Sequence, residues 1–267
     1  MALLEIEGLG SVNYHEYGSG EKLLFAFPGY GMSGRQFSVL QKSLLQQYKI
    51  IAFDHFFQET SKLYTVKEAS ILAGMQPGFL KLYLQKWLDQ YPGQRFSLLG
   101  YSIGANMALY LIQQFADQID ELILMAPDGL VVHKGLHFFR ASFIGKKLYK
   151  KLTYSKWMMA FTLKALKRFK AIDANLYSIA SHEIETLEKR KNGFFTVHFY
   201  KNIKADVAQI AALINQHHIR CQLYFGKYDQ LFPPENAKIL LDLLNQPEMH
   251  VVPAGHWLVT PELDNYI

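Results

Sequence analysis

A G-x-S-x-G pentapeptide, Gly100-Tyr101-Ser102-Ile103-Gly104, constrains the fold of this chain more than any other feature. The segment 95–99 before it is short and mostly apolar, as a buried strand is. Residues 105–115 after it carry apolar side chains at helical spacing. The sequence therefore predicts a sharp strand-to-helix turn, in which glycines allow close backbone approach. The hydroxyl of Ser102 then projects at a helix N-terminus, where negative charge is stabilised.

A serine hydroxyl becomes a good nucleophile only when a neighbouring base accepts its proton. Two downstream segments offer partners for it. Asp229 follows the strand-like residues 221–225, and His256 follows the strand-like residues 249–252. Because open α/β sheets place their ligands at the carboxyl ends of the strands, we expect Ser102, Asp229 and His256 to meet at one sheet edge.

These motifs occur in a set order: the pentapeptide comes first, then the segment ending at Asp229, then the Gly255-His256 pair. In this order the chain resembles the α/β-hydrolase family from about Leu3 to about Pro261. The resemblance implies an α/β fold with a mostly parallel central sheet, flanking helices and a helical cap insertion. It also implies that Ser102 is the nucleophile, that His256 is the general base and then the general acid, and that Asp229 orients His256.

Other interpretations of these residues stay open. Ser102 could be an ordinary serine in a tight turn, and Asp229 could be a turn aspartate ahead of two prolines. Asp128 is a second candidate for the orienting acid, since some family members carry theirs after that strand. Four further histidines could line a pocket, although surface positions are favoured for them: His133, His137, His182 and His198.

The resemblance also points to an oxyanion hole built from two backbone N–H groups. Ile103, the residue after the nucleophile, would supply one. Tyr30, in the glycine-rich turn Phe27-Pro28-Gly29-Tyr30-Gly31, would supply the other. Pro28 stands where the family commonly has histidine, which changes how this loop is held. The glycines could instead form a plain structural turn. Asp54 is expected to be structural, and the aromatic pair Phe56-Phe57 to line the site or to pack in the core or the cap.

Strand and helix patterns alternate over most of the chain, which predicts a parallel sheet. The predicted strands are 3–7, 11–17, 22–27, 49–54, 95–101, 121–126, 220–226 and 248–252. The predicted helices are 33–47, 78–91, 102–116 and 234–245.

Between Ala126 and Arg220 the alternation gives way to long, largely helical patterns. Residues 131–205 within this stretch hold 16 Lys+Arg and 4 Asp+Glu, a net charge of +12. The remainder of the chain has 12 Lys+Arg and 19 Asp+Glu, a net charge of −7. We therefore predict a basic helical cap at 131–205 on a core domain formed by 1–130 and 206–267. The lysines could be a solvated face, or could contact anionic lipids or anionic substrates.

Several classes of protein are disfavoured by the sequence. There is no apolar run long enough to span a membrane, no evident signal peptide and no disulfide framework, so a cytoplasmic enzyme is expected. Cys221, the single cysteine, falls in a predicted strand as a core residue. No motif indicates a metal, a nucleotide cofactor or nucleic-acid binding.

The leading hypothesis is a serine hydrolase that cleaves a small or medium hydrophobic ester or thioester, with no cofactor. The alternatives are a lipid- or anionic-acyl-directed hydrolase or acyltransferase at membrane surfaces, and a non-catalytic binding protein on the same fold. The residues do not separate ester from amide or C–C cleavage, and they do not predict the oligomeric state.

Overall fold

The computed structural model describes residues 2–40, 43–58, 60–131, 134–172 and 174–267. These residues form one nine-stranded sheet covered by helices. The strands are β1 Ala2–Ile6, β2 Gly10–Tyr17, β3 Lys22–Phe27, β4 Tyr48–Phe53, β5 Lys62–Leu63, β6 Phe96–Tyr101, β7 Ile119–Met125, β8 Arg220–Gly226 and β9 Glu248–Val252. The α-helices are α1 Glu68–Ala73, α2 Phe79–Gln90, α3 Ile103–Phe115, α4 Lys134–Ala141, α5 Phe143–Tyr154, α6 Lys156–Arg168, α7 Ala174–Glu183, α8 Leu187–Phe199, α9 Val207–Gln216 and α10 Lys238–Leu241.

The strand order is β1-β2-β4-β3-β6-β7-β8-β9, with β5 paired to β2. The run from β4 to β9 is parallel, while β1, β2 and β5 are joined by antiparallel pairing. In this order β6 lies at the centre, and β8 and β9 lie towards one edge. All six parallel strands therefore present their carboxyl ends at the same edge of the sheet.

The central strands are buried on both faces, which explains their continuous apolar runs. All six residues of β6 are buried, as parallel sheets covered by helices require. One face packs against α2, α3 and α9 around Trp87, Phe25 and Phe53. Cys221 in β8 is buried, and burial raises the pKa of its thiol to about 12. Cys221 is thus a core residue, as expected.

The predicted strands are confirmed, each within one or two residues at its ends. The predicted helix 33–47 is wrong, because only a 3₁₀ helix, Gly34–Val39, forms there within the described residues. Beyond this 3₁₀ helix, the backbone of Ser43 is held by a side chain from the far end of the chain. The N–H of Ser43 donates to Asp264 Oδ1 at 2.9 Å, so it does not donate to the carbonyl four residues earlier as a helix requires.

The predicted helix 234–245 is also shorter than expected. It begins as a 3₁₀ turn, Pro234–Ala237, and α10 ends at Leu241. The side chain of Asn215 in α9 binds the backbone that follows α10. Its NH₂ group donates to the Leu243 carbonyl at 2.8 Å, and its oxygen accepts from the Asn245 N–H at 2.9 Å. The sequence patterns did not reveal α1 or the two-residue strand β5.

In its described residues, the segment between β7 and α9 is made mainly of the helices α4 to α8. Its largely helical character agrees with the sequence prediction. Among the described residues, no helix is both long and apolar enough to cross a membrane.

Candidate active site

Ser102 occupies the turn between β6 and α3 in a backbone conformation that L-residues rarely adopt, with φ 52° and ψ −121°. Neighbouring backbone holds this conformation. The N–H of Ser102 donates to the Met125 carbonyl at 2.9 Å, and its own carbonyl accepts from Asp128 N–H at 3.1 Å. A strained residue that is fixed on both sides is typical of a functional turn.

The two glycines of the turn are required by close backbone approach. A Cβ atom on Gly104 would lie 2.1 Å from the carbonyl oxygen of Phe27, and one on Gly100 would lie 2.5 Å from Cα of Ala105. Gly104 thus allows α3 to start directly against the end of β3. This contact sets the distance between the serine and the loop that follows β3.

We predict that Gly104→Ala destabilises the fold by roughly 1–3 kcal/mol, because the added methyl group displaces α3 from β3. Gly78→Ala is the matched control. Gly78 also sits at a helix start, in right-handed helical conformation, and a Cβ atom added there would have no neighbour within 4 Å. Urea unfolding of both variants measures the difference, and equal stabilities would contradict the steric argument.

The structure brings Ser102, His256 and Asp229 into one hydrogen-bonded chain. Ser102 Oγ lies 3.1 Å from Nε2 of His256, and Nδ1 of His256 lies 2.8 Å from Oδ2 of Asp229. All three residues are buried. They follow β6, β9 and β8 respectively, so the meeting point is the carboxyl edge of the parallel sheet, as predicted.

A turn directly after β8 fixes the carboxylate of Asp229. Its Oδ1 accepts from the N–H groups of Leu231 at 2.8 Å and Phe232 at 3.0 Å. Oδ2 is thereby aimed at His256. Because a carboxylate only accepts hydrogen bonds, Nδ1 of a neutral His256 carries the proton and Nε2 is left as an acceptor for the Ser102 hydroxyl.

Two aromatic rings contact the imidazole of His256. The Tyr101 ring stacks on it at 5.6 Å between centroids, and the Phe232 ring contacts it at 5.4 Å. The Tyr101 hydroxyl also donates to the His256 carbonyl at 2.7 Å. These contacts fix both the ring and its backbone in the orientation that reaches Ser102.

The candidate oxyanion donors belong to the first residue of α3 and to the loop after β3. Ile103 is the first residue of α3, so its N–H belongs to the helix end that has no intrahelical acceptor. Tyr30 lies in a turn closed by the Met32 N–H and the Gly29 carbonyl at 3.3 Å, with Gly31 at φ 75°. A Cβ on Gly29 would lie 2.8 Å from the Tyr101 ring, so this turn packs directly on the β6 end.

A family model described as the alpha/beta hydrolase fold matches residues 22–262. The chain belongs to this family. The match spans the elbow turn and the segments that carry Asp229 and His256. No curated protein matches the sequence significantly.

Solved structures of alpha/beta hydrolases share the fold at low identity. An esterase from Thermogutta terrifontis with malate bound has a TM-score of 0.69 at 13% identity, covering 100% of this chain and 95% of its own. A meta-cleavage product hydrolase from Pseudomonas fluorescens has a TM-score of 0.67 at 16% identity, and the match covers 100% of this chain and 94% of the hydrolase. A thioesterase domain from the curacin biosynthetic pathway has a TM-score of 0.62 at 16% identity, and the match covers 99% of this chain and 97% of the domain. These likenesses show a common fold.

Of the other sequence candidates, Asp128 lies beside the elbow and the described histidines lie in α4, α7 and α8. Asp128 lies beside the elbow through its backbone, but the carboxylate that contacts Nδ1 of His256 is that of Asp229. His137 and His182 are exposed, His198 is buried in α8 against Phe194, and His133 lies outside the described residues. Within the described parts of the chain, no cluster of His, Cys, Asp or Glu has the make-up of a metal site.

The loop that carries Tyr30 is held from one short segment after β4. His55 Nε2 donates to the Pro28 carbonyl at 2.7 Å. With its amide oriented so that both atoms find partners, Gln58 accepts from the Gly31 N–H at 2.6 Å and donates to the Met32 carbonyl at 3.0 Å. Pro28 replaces the family's usual histidine, and His55 reaches the loop from the neighbouring strand end.

Asp54 holds the far end of the same loop. Its Oδ1 accepts from the Gly34 N–H at 2.6 Å and from the Ser33 hydroxyl at 2.9 Å, and its Oδ2 contacts Asn13 and His15. Asp54 is structural, as expected. Sequence reasoning assigned no specific role to His55 or Gln58, although a histidine directly after a buried strand was the available signal.

We expect His55→Leu to lower kcat about 10- to 100-fold with little change in KM, because the loop and its Tyr30 N–H lose an anchor. His55→Gln can still donate to the Pro28 carbonyl and should recover most of that loss. Steady-state ester kinetics on folded variants give the measurement. A loss confined to KM, or equal losses in both variants, would contradict a positioning role.

Burial lowers the pKa of His55 to about 4. The unfolded chain binds this proton below about pH 6.5, whereas the folded chain does not until about pH 4, so stability is lost as the pH falls through this window. One such group contributes a slope of about 1.4 kcal/mol per pH unit. Denaturant unfolding from pH 7 to pH 4 should therefore show a steeper decline for the wild type than for His55→Gln.

The side chain of Tyr30 extends away from its backbone into the α4–α8 helices. Its hydroxyl donates to Glu183 at 3.4 Å, and a Cβ on Gly193 of α8 would lie 2.6 Å from that oxygen. Burial, with Tyr149 and Glu183 nearby, raises the pKa of Tyr30 well above its ordinary value. The α7 and α8 helices therefore contact the candidate oxyanion loop directly.

The aromatic pair after β4 packs against α8 as well. Phe56 contacts Phe199 edge-on at 5.4 Å, and Phe57 contacts Phe195 and Phe199 at 5.6 and 5.5 Å. Of the two roles expected for this pair, the structure supports packing between the sheet and the helices.

Proposed function

We propose that this alpha/beta hydrolase is a serine hydrolase that cleaves a carboxylic ester or thioester of a hydrophobic acyl group through an acyl-enzyme. The observation that carries the proposal is the continuous hydrogen-bonded chain from Asp229 through His256 to Ser102. The rings of Tyr101 and Phe232 beside it favour an apolar acyl group. Esterases and a thioesterase among the structural neighbours support the same class of substrate.

In the proposed reaction, Ser102 Oγ attacks the substrate carbonyl carbon while its proton passes to Nε2 of His256. The oxyanion accepts hydrogen bonds from the N–H groups of Tyr30 and Ile103. The C–O or C–S bond then breaks, and the leaving alcohol or thiol takes the proton from Nε2. Asp229 stabilises the transient imidazolium through Nδ1.

Water completes the cycle by the same steps. His256 removes a proton from water as the oxygen attacks the acyl-enzyme carbonyl, and the second oxyanion rests on the same two donors. Collapse breaks the bond to Ser102 Oγ, which recovers its proton from Nε2. The products are a carboxylic acid and the free enzyme, with no cofactor consumed.

We also propose that residues 131–205 form a cap over a core domain made of 1–130 and 206–267. The contacts of Glu183 and Gly193 with Tyr30 support this division, because they bring α7 and α8 against the candidate oxyanion loop. Such a cap would shape the acyl and leaving-group pockets.

Fluorophosphonate labelling followed by peptide mapping tests the proposed activity. A fluorophosphonate reacts with an activated serine, so the expected result is one adduct on the peptide that contains Ser102, absent from heat-denatured protein. A p-nitrophenyl ester series of rising chain length then measures the acyl preference. No adduct on the folded protein, or an adduct on another serine, would contradict the proposal and favour a non-catalytic binding role.

A further inference from the structure

The segment from residue 129 to residue 172 contains eleven Lys+Arg and no Asp or Glu. Within the described residues, Lys150 is the single member of this set that pairs with a carboxylate, that of Glu68. Surface helices usually mix both signs of charge. This part of the α4–α8 helices therefore presents an unneutralised positive surface.

The same segment exposes large apolar side chains that elsewhere in the chain are mostly buried. Trp157 is 75% exposed, Phe161 63% and Phe169 79%. Trp157 and Phe161 stack on each other at 5.8 Å between ring centroids. No residue of α6 is buried, although eight of its 13 residues, alanines included, are apolar or aromatic. Exposed apolar surface of this kind marks an interaction site.

Aromatic and basic residues share one side of α6. Trp157, Phe161, Lys164 and Arg168 are spaced by four, three and four residues, which aligns them along the helix, and all four are exposed. We call these four residues the α6 face. In α5, Phe143 is 71% exposed and Lys147 Nζ lies 4.4 Å from its ring centre, so the combination is repeated there.

The composition of this surface discriminates between occupants. Protein interfaces are depleted in lysine, yet nine of the eleven basic residues between 129 and 172 are lysines. A second copy in a symmetric dimer would bring two positive faces together. Helices with lysine beside exposed tryptophan and phenylalanine suit an anionic membrane interface, where the rings enter the headgroup region and the cations remain near phosphate.

We propose that the α6 face binds the surface of an anionic lipid bilayer. Trp157 and Phe161 enter the interfacial region, and Lys164 and Arg168 contact the lipid phosphates. Binding does not depend on the proposed hydrolysis, so a Ser102→Ala protein is expected to bind equally well.

Co-sedimentation of the full chain with vesicles tests this inference. We expect binding to vesicles of phosphatidylcholine with phosphatidylglycerol, weak binding to phosphatidylcholine alone, and a decline as salt rises, because salt screens the attraction. Each basic side chain near an anionic surface strengthens binding roughly fivefold. Lys164→Glu/Arg168→Glu should therefore weaken binding by about 25-fold or more.

Two pairs of variants control for charge and for apolar surface. Lys62→Glu/Lys81→Glu changes the net charge by the same amount at exposed sites outside the α6 face and should keep most of the binding. Trp157→Ala/Phe161→Ala should weaken binding about tenfold.

The matched control for apolar surface is Ile239→Ala/Leu243→Ala. It alters two half-exposed apolar residues in and just after α10 and should leave the binding unchanged. Circular dichroism melts check that each variant is folded.

Three results would overturn the inference. The first is no binding to either vesicle, and the second is equal binding to neutral and anionic vesicles. The third is equal weakening by the α6-face variants and their controls. Sedimentation velocity adds a fourth: a dimer that Trp157→Ala/Phe161→Ala converts to monomer would assign the face to a second copy of the chain.

Discussion

Replacing Ser102 by alanine is expected to lower kcat for a p-nitrophenyl ester by roughly 10⁴- to 10⁶-fold. Without Oγ there is no acyl-enzyme, and water must attack the ester directly. The two backbone donors and the surrounding rings remain, so substrate still binds and KM should change by only a few-fold. Burst and steady-state kinetics at saturating ester measure the loss.

Ser97→Ala is the matched control for this substitution. Ser97 is also buried and lies in β6 five residues before Ser102, but it does not contact His256. Its replacement should leave kcat within about threefold, since a buried hydroxyl away from the site contributes mainly to stability. Wild-type activity in Ser102→Ala would rule out the proposed nucleophile.

Asp229→Asn is expected to lower kcat by about 10⁴-fold, and the structure gives the reason. Oδ1 of Asp229 accepts from two N–H groups, those of Leu231 and Phe232. An asparagine keeps its oxygen on that side, so its NH₂ group faces Nδ1 of His256. Nδ1 must then accept, and the proton moves to Nε2. In this tautomer His256 donates to Ser102 and cannot take its proton.

Asp128→Asn distinguishes the two candidate acids. Asp128 lies beside the elbow, yet Nδ1 of His256 contacts Asp229, so Asp128→Asn should reduce kcat by less than about tenfold. Kinetics of the two variants, with melting temperatures to exclude unfolding, decide the assignment. A large loss from Asp128→Asn with a small one from Asp229→Asn would reverse it.

The candidate site was predictable because its parts are tied to local sequence. The elbow needs glycine at two positions where a Cβ atom would collide with neighbouring backbone, and Asp229 and His256 closely follow short apolar strands. The carboxyl ends of parallel strands lie at one edge of the sheet. Local patterns were therefore enough to predict that these distant residues meet there. The strand prediction succeeded for the same reason, since buried strands show continuous apolar runs.

The features that escaped prediction depend on contacts between distant segments. In the stretch predicted as the helix 33–47, the Ser43 N–H binds Asp264, and the backbone that follows α10 is bound by Asn215. His55 and Gln58 bind the Tyr30 loop through their side chains. The residues around them in the sequence show no hydrophobic periodicity that would have predicted this contact. Tertiary hydrogen bonds of this kind override local propensity, and a single sequence does not reveal them.

Tyr30 connects two parts of the molecule that can vary independently. His256 and Asp229 are carried by loops of the sheet, whereas the Tyr30 side chain is seated among Glu183 and Gly193 of the helices. Substitutions that enlarge or tilt α8 to admit a bulkier substrate would therefore shift the N–H proposed to stabilise the oxyanion, while leaving the proposed relay from Asp229 through His256 to Ser102 in place. Engineering of substrate range in this protein would be limited first by the turnover rate, and repair would begin at the Tyr30 loop.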